Sequence, residues 1–299
     1  MPKPVKFSRR RPGGAKIQIG LIQTAFAKGP AAQLKKTIEK IEHAASRGAK
    51  IICLQELFRT PYFCQSEDHA NFRFAEPIPG PTTALLSKVA QKHRLVIIAP
   101  LFEKRTQGIY HNSAVVIDAD GKLLGTYRKM HIPDDPNFYE KFYFTPGDKG
   151  FPTFKTKYAK IGVLICWDQW FPEAARLTAL QGAQILFYPT AIGWHHSDKA
   201  VAKDQKLGWE TVQRGHAVAN EMFVAVTNRV GREGDLTFWG NSFVSDPFGK
   251  VMACAGTKEE NLIVECDLDE IERTRQHWPF FRDRRVDAYE PITARFLDE

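Results

Sequence analysis

The stretch that most constrains the fold is an apolar run that is followed by a cysteine and then by a helix start. Residues 161–165 are apolar, and Cys166 comes directly after them. After a short aromatic and polar segment the chain reaches Pro172, and proline is favoured in the first turn of a helix. The stretch therefore predicts a strand, a sharp turn that carries Cys166, and a helix.

A cysteine at such a turn can act as a nucleophile, because the strand holds it in place while the turn exposes its sulfur. The alternative is a core residue, since free cysteine is often buried. A catalytic thiol needs a base or a positive charge beside it, and attack on an amide carbon needs donors for the developing oxyanion. The partners of Cys166 therefore decide between the two interpretations.

Two charged residues also stand directly after strand-like runs. Glu56 follows the run 51–54, and Lys129 follows the run 123–127. Each of them alone is typical of a solvated surface charge. Together with Cys166, however, they place an acid, a cation and a thiol at the ends of three separate strands. That set has the composition of a thiol-dependent active site.

Helical and strand-like patterns follow one another along the chain without a clear linker. The predicted helices cover 31–45, 82–93, 172–181 and 208–220, and the predicted strands cover 17–21, 51–54, 95–99, 111–117, 123–127, 161–165, 185–188, 223–228, 241–245 and 262–268. Residues 128–153 have no clear period and are too long for a passive connection, which favours a functional loop. We expect a flexible leader at 1–14 and a single layered α/β domain at 15–299.

Composition excludes several classes of protein. The 42 basic and 34 acidic residues give a net charge of +8, but the basic residues are scattered, and the cluster Arg9–Arg11 is typical of a solvated tail. No apolar run approaches the roughly 20 residues that span a bilayer. We therefore expect neither a nucleic-acid partner nor a membrane. The 5 cysteines are irregularly spaced, which argues against a disulfide framework and favours the reducing cytoplasm.

Three segments resemble the three conserved blocks of the carbon–nitrogen hydrolase (nitrilase) superfamily. They are LQELF at 54–58, YRKMHIPDDP at 127–136 and GVLICWDQWFPE at 162–173, in that order along the chain. The resemblance extends from about residue 15 to 290. It implies a four-layer α-β-β-α sandwich, no cofactor, and a homo-oligomer in which the tail at about 270–299 contributes subunit contacts.

The resemblance also implies a role for each active-site residue. Glu56 is the expected base, Cys166 the nucleophile, and Lys129 with the backbone N–H of Trp167 the oxyanion stabilisers. Glu140 resembles a second glutamate that supports the lysine. We expect no metal, because the polar residues around His131 lack a second cluster and a catalytic zinc site typically uses three protein ligands.

Four further segments resemble the branch of the superfamily that hydrolyses N-carbamoylputrescine to putrescine, carbon dioxide and ammonia. They are found at 139–148, 188–194, 239–243 and 278–285. The substrate expected from the resemblance is a small carbamoyl amine, and the candidate residues for its pocket are Tyr62, His131, Trp170, Ala191, Trp194 and His195. Members of that branch often carry an acid where this chain has His195, which leaves the partner of the substrate's tail open.

Two other interpretations remain open at this stage. The substrate could be another N-carbamoyl compound, such as N-carbamoyl-β-alanine, or an ω-amide; an acidic tail would then need an arginine or lysine in the pocket. In a different class, the chain could be a non-catalytic binding protein on the same fold. The presence of all three residues Glu56, Lys129 and Cys166 argues against that class, because binding alone does not need them.

Overall fold

The computed structural model describes residues 16–195 and 201–297. The predicted leader at 1–14, including Arg9–Arg11, lies outside these residues. The strands are β1 (Lys16–Gln23), β2 (Ile51–Leu54), β3 (Val96–Thr106), β4 (Ile109–Ile117), β5 (Leu123–Arg128), β6 (Asp134–Asp135), β7 (Phe138–Tyr139), β8 (Thr153–Lys155), β9 (Lys160–Val163), β10 (Ile185–Pro189), β11 (Gly193–His195), β12 (Phe223–Thr227), β13 (Val230–Glu233), β14 (Leu236–Trp239), β15 (Phe243–Ser245), β16 (Val251–Cys254) and β17 (Glu260–Asp267). The α-helices are α1 (Pro30–Ser46), α2 (Pro81–His93), α3 (Glu140–Tyr143), α4 (Pro172–Leu180), α5 (Ala202–Asn220) and α6 (Asp269–His277).

Two six-stranded sheets form the centre of the molecule. The first has the strand order β17-β1-β2-β3-β4-β5, and the second has the order β16-β15-β12-β10-β9-β8. In each sheet the central pairs are parallel, namely β1 with β2, β2 with β3, β9 with β10, and β10 with β12. Parallel strands are normally covered on both faces, which explains why runs such as Ile51–Leu54 are apolar at every position.

The two sheets pack against each other, and helices cover their outer faces. Ile19 and Ile51 of the first sheet lie in one buried cluster with Phe187 and Val224 of the second. Alternate residues of the first sheet face the other way and pack with α1 and α2, so that a second apolar cluster lies there. Helices α4 and α5 contact β10 and β12 of the second sheet. The predicted α-β-β-α sandwich is therefore confirmed.

Most predicted elements are present, but the sequence analysis missed helix α6 (Asp269–His277), and strand β3 extends to Thr106 instead of ending at 99. Other elements also differ from the prediction. The strand before Cys166 ends at Val163, and the next residues run on in extended form towards the cysteine. Helix α5 begins at Ala202 instead of 208, because Leu207 and Gly208 lie on its exposed face and interrupt the apolar pattern. The sequence analysis also missed short strands that lack a clear alternation. These are β8, β11, β13, β14 and β16.

The middle segment 128–153 is not a simple loop. It contains the small hairpin of β6 and β7, followed by the single-turn helix α3. Lys129 lies between β5 and this hairpin, and Glu140 follows the hairpin directly as the first residue of α3. The hairpin therefore connects two candidate site residues. The segment therefore positions part of the site described below.

Candidate active site

Three charged side chains meet near the carboxyl ends of strands β2 and β5. Glu56 follows β2, Lys129 follows β5, and Glu140 is the first residue of α3. The Nζ atom of Lys129 lies 2.9 Å from Oε1 of Glu56 and 2.6 Å from Oε2 of Glu140. All three side chains are fully buried. Buried charges are tolerated only when they are paired in this way, since desolvation alone costs several kcal/mol for each ion.

Neutral side chains also donate hydrogen bonds to the two carboxylates. Asn112 Nδ2 donates to Oε1 of Glu56 at 2.8 Å, and the Tyr62 hydroxyl donates to Oε1 of Glu140 at 2.9 Å. The second oxygen of Glu56, Oε2, has no hydrogen-bond partner among the residues that the structure describes. It is therefore the acceptor that remains available for a proton.

The charges of this cluster shift one another's pKa values. Burial lowers the pKa of Lys129, but the carboxylates of Glu140 and Glu56 outweigh burial and hold that pKa well above its ordinary value. Lys129 therefore carries a positive charge. Burial raises the pKa of Glu140 to about 7, and Glu56 adds to this rise, while Lys129 and the Tyr62 hydroxyl oppose it.

Cys166 lies at a strained turn beside this cluster. It is the first residue of a 3-10 helix that covers Cys166–Trp170, and its φ angle is 45°, in the left-handed region that residues other than glycine rarely adopt. Leu57, next to Glu56, has a φ of 47°. Backbone strain of this kind is concentrated at functional sites. Here it occurs at the turn that carries the thiol and beside the candidate base.

The surroundings of the Cys166 thiol favour its protonated form. Burial raises its pKa, the charge of Glu56 raises it further, and Lys129 opposes the rise. A buried thiol of this kind becomes a nucleophile only when a neighbouring base removes its proton as it attacks. The geometry and the charges are therefore suited to base-assisted attack by sulfur.

Asp168 joins the cysteine turn to the lysine strand. Its Oδ2 accepts hydrogen bonds from the backbone N–H of Ile165 at 2.9 Å and from the Tyr127 hydroxyl at 2.6 Å. Its Oδ1 accepts from the backbone N–H of His131 at 3.0 Å. Because Tyr127 and His131 flank Lys129 in the chain, Asp168 fixes the position of Cys166 relative to Lys129.

Arg229 provides a second tie, on the Glu56 side. Its fully buried guanidinium donates to the backbone carbonyls of Leu57 at 2.9 Å and Thr60 at 3.0 Å. It also donates to Glu233 at 2.8 Å, and the other carboxylate oxygen of Glu233 accepts from the backbone N–H of Tyr62, also at 2.8 Å. Arg229, directly before β13, and Glu233, the last residue of β13, thus hold the segment that carries both Glu56 and Tyr62.

Cys166 and Glu140 open onto a cavity of about 630 Å³, within the usual size range for small-molecule sites. Its lining is mostly apolar and aromatic. The lining residues are Pro133, Asp135, Pro136, Asn137, Phe138, Glu140, Cys166, Trp167, Trp170, Ala191, Ile192, Gly193, His195, Gln205 and Trp239. Within 16–195 and 201–297, no lysine or arginine lines this cavity.

The structure places three of the six predicted pocket residues on the cavity wall, namely Trp170, Ala191 and His195. The other three occupy different positions. Tyr62 is fully buried and contacts Glu140. The ring of His131 stacks on that of Phe171 with 3.7 Å between ring centroids, and its Nδ1 lies 2.7 Å from Oδ1 of Asp168.

Trp194 illustrates why sequence position alone misplaces a pocket residue. It lies between Gly193 and His195 in β11, and side chains of a strand alternate between its two faces. Gly193 and His195 line the cavity, whereas Trp194 packs against Trp239 in a tilted arrangement, with 5.5 Å between ring centroids.

Sequence reasoning missed several residues of the cavity wall. Asp135 and Phe138 belong to the segment that was predicted to be a functional loop, but no pattern distinguished them from their neighbours. Gln205 and Trp239 come from α5 and β14, far from the conserved blocks. Trp167, whose backbone N–H is the expected oxyanion donor, also lines the cavity and is the second residue of the 3-10 helix.

The described residues lack two further features, a metal-binding cluster and a membrane-spanning helix. They contain no group of three or more histidine, cysteine or acidic side chains that could hold a metal ion. Nor does any helix among them have the length and apolar character needed to cross a membrane.

The layered fold, with a thiol beside a buried acid–lysine cluster, defines the class of this protein as an α/β amidohydrolase. The chain belongs to the carbon–nitrogen hydrolase family, whose model matches residues 18–276. It is 46% identical over 289 residues to the N-carbamoylputrescine amidase of Oryza sativa subsp. japonica, covering 93% of this chain and 95% of the relative.

Two other comparisons bear on fold and substrate. The chain is 42% identical to a citrullinase of Francisella tularensis, over 94% of this chain and 100% of the relative. A crystal structure of a carbon–nitrogen hydrolase from Helicobacter pylori superimposes with a TM-score of 0.92 at 47% identity, covering 94% of this chain and 100% of that one. The rice and Francisella relatives are named for different substrates, and the name of the Helicobacter pylori protein specifies none.

Proposed function

We propose that this protein hydrolyses N-carbamoylputrescine to putrescine, carbon dioxide and ammonia, a step of polyamine biosynthesis. The observation that carries the proposal is the cavity itself. It joins Cys166 and the buried lysine–carboxylate cluster to an aromatic wall that includes one exposed acid, Asp135, and no described lysine or arginine. Such a wall suits a tail that ends in an ammonium group better than one that ends in a carboxylate. The similarity to the rice amidase supports the same substrate.

The proposed reaction begins at the sulfur. Oε2 of Glu56 takes the thiol proton of Cys166, and the sulfur attacks the carbamoyl carbon, so that the C=O double bond becomes a C–O⁻ single bond. Lys129 and the backbone N–H of Trp167 donate to this oxyanion. Glu56 then returns the proton to the nitrogen that leaves, and the C–N bond breaks as the carbonyl re-forms.

The second half of the reaction releases the enzyme. Glu56 removes a proton from water, the hydroxide attacks the thioester-like carbon, and the C–S bond breaks with protonation of the sulfur. The carbamic acid that remains decomposes to carbon dioxide and the second amine product, as its C–N bond breaks and the acid proton moves to the nitrogen. Glu140 keeps Lys129 positively charged and holds its ammonium group in position during both halves of the reaction, since their 2.6 Å contact is the shorter of the lysine's two ion pairs.

Ammonia release tests the proposal directly. The purified protein is assayed with N-carbamoylputrescine, citrulline and N-carbamoyl-β-alanine, with Cys166→Ala as the control for a contaminating activity. We expect the highest kcat/KM with N-carbamoylputrescine. If N-carbamoyl-β-alanine is the best substrate, or none is turned over, the proposed substrate is wrong.

Citrulline is the second candidate because one relative is a citrullinase. Its tail carries both an ammonium and a carboxylate. The cavity offers Asp135 to the ammonium, but no described lysine or arginine to the carboxylate. We therefore expect citrulline to be the poorer substrate, and a higher kcat/KM for citrulline than for N-carbamoylputrescine would reverse the assignment.

We infer that the protein works in the cytoplasm. All five cysteines are free, and four of them are buried, which suits a reducing compartment. Fractionation of the source cells, with antibody detection, tests this inference. Recovery in a secreted or organellar fraction would contradict it.

We further propose that the protein forms a homo-oligomer through its tail at about 270–299. The described part of the tail exposes large apolar side chains, and such patches mark protein contacts. They are Trp278, Phe280, Val286, Tyr289, Ile292, Phe296 and Leu297. Light scattering after size exclusion should give a multiple of 33.9 kDa, and a truncation after residue 277 should reduce that mass to a smaller assembly.

A further inference from the structure

Among the described residues of the cavity wall, three ionisable groups other than the thiol could meet the charged end of a substrate. They are Asp135, Glu140 and His195. Glu140 is unsuited to this task, because its two oxygens already accept from Lys129 and Tyr62 deep in the site. His195 offers no fixed negative charge. Asp135 is exposed, and in the part of the chain that the structure describes it forms no ion pair.

We propose that Asp135 is the specificity-determining residue that binds the distal ammonium of the substrate. This inference rests on the proposed function and assigns the partner of the tail, which the sequence left open. Asp135, Phe138 and Trp239 all line the cavity that the ammonium group would enter, and carboxylates and aromatic rings are the groups that favour a cation.

The local structure explains how Asp135 can hold a tail at a fixed distance from the reacting carbon. Asp135 belongs to β6 and pairs with Phe138 of β7. Glu140, which binds Lys129, follows β7 directly as the first residue of α3. The same short hairpin therefore carries Asp135, which binds the substrate's tail, and directly precedes Glu140 of the charge cluster.

Asp134 provides a matched control. It is the neighbouring residue of the same strand, is equally an exposed aspartate, and does not line the cavity. Side chains of adjacent strand residues point to opposite faces, which accounts for the difference. A change at Asp134 alters the net charge and the hairpin composition as much as a change at Asp135 does, without altering the cavity wall.

The test compares a charged substrate with an uncharged analogue of the same shape. N-carbamoylputrescine and pentylurea differ in having an ammonium or a methyl group at the distal end. We expect Asp135→Asn to raise the KM for N-carbamoylputrescine by about tenfold, with little change in kcat. Its kcat/KM for pentylurea should stay within about twofold of that of the unchanged protein. Asp134→Asn should leave both substrates unaffected, and Asp135→Glu should recover part of the loss.

The outcomes separate this inference from the proposed function. If the unchanged protein hydrolyses N-carbamoylputrescine and Asp135→Asn leaves its KM unaltered, the role of Asp135 is wrong while the proposed function stands. Equal losses with both substrates would show that Asp135 only supports the hairpin, and would also overturn the inference. If the unchanged protein does not hydrolyse N-carbamoylputrescine at all, the proposed function fails and this inference fails with it.

Discussion

The buried charge cluster and the exposed part of the cavity wall, here called the mouth and formed by Asp135 and Gln205, place polar groups in opposite physical situations. Glu56, Lys129 and Glu140 have no exposed surface, and Lys129 is paired with both acids. Asp135 and Gln205 at the mouth are exposed and take part in no ion pair with the described residues. Buried ions depend on every partner, whereas exposed polar residues can change at little cost in stability. The comparison indicates that the buried charge cluster tolerates little change, whereas the exposed part of the cavity wall can vary without loss of stability.

The first prediction concerns the thiol at the boundary between the two regions. Cys166→Ala should reduce turnover by at least about 10⁴-fold, because no other group can form the bond to carbon. Ammonia release and the melting temperature are measured together, and the melting temperature should change little. The matched control is Cys254→Ala, which removes the exposed cysteine and should retain full activity. Measurable turnover in Cys166→Ala would refute the mechanism.

The second prediction concerns the cation of the cluster. Lys129→Met should lower kcat by about 10³-fold or more through loss of oxyanion stabilisation. It should also lower the free energy of unfolding by about 3–5 kcal/mol, because two buried carboxylates lose their cation. Chemical denaturation measures the second effect.

Lys141 supplies the control for that experiment. It lies beside Glu140 in α3 but is exposed, so that Lys141→Met should change stability by less than about 0.5 kcal/mol. Equal effects of the two substitutions would remove the distinction between buried and exposed charges.

The third prediction uses the pKa of Glu140. Its pKa is raised to about 7, and the hydroxyl of Tyr62 holds it down by donating to the ionised carboxylate. Removing that hydroxyl in Tyr62→Phe should therefore raise the pKa further. If kcat/KM requires the ionised form, its acidic limb should move to higher pH, and kcat should fall by roughly tenfold.

The pH profile of kcat/KM measures this shift. Tyr139→Phe, which changes a neighbouring tyrosine whose hydroxyl has no hydrogen bond to the described residues, should leave the limb unchanged. A shift to lower pH in Tyr62→Phe would contradict the assigned hydrogen bond.

The smallest effect is expected at the mouth. Gln205→Ala removes an exposed side chain of α5 from the cavity wall, and it should change KM by about twofold and leave kcat unaffected. Steady-state kinetics with N-carbamoylputrescine measures both constants. A large fall in kcat would show that the mouth contributes to the chemical step, and would contradict the contrast between the mouth and the buried charge cluster.

Several elements could be predicted because their signals are local. The strand Ile51–Leu54 and the helix from Pro172 were placed almost to the residue, since each has a continuous apolar run or a clear start. Strands β13 and β14 were missed, because each has four residues and their apolar positions do not alternate over a sufficient length. The start of α5 was missed because exposed Leu207 breaks the amphipathic pattern.

The sequence by itself determined the three elements that present Glu56, Lys129 and Cys166, and it indicated the family through the segments that contain them. Only the tertiary structure decided which other residues line the cavity. Asp135 and Gln205 reach the cavity, while Tyr62 and His131 support other residues. The physical reason is that periodicity and turn chemistry act over a few neighbouring residues, whereas a cavity wall is assembled from elements far apart in the chain.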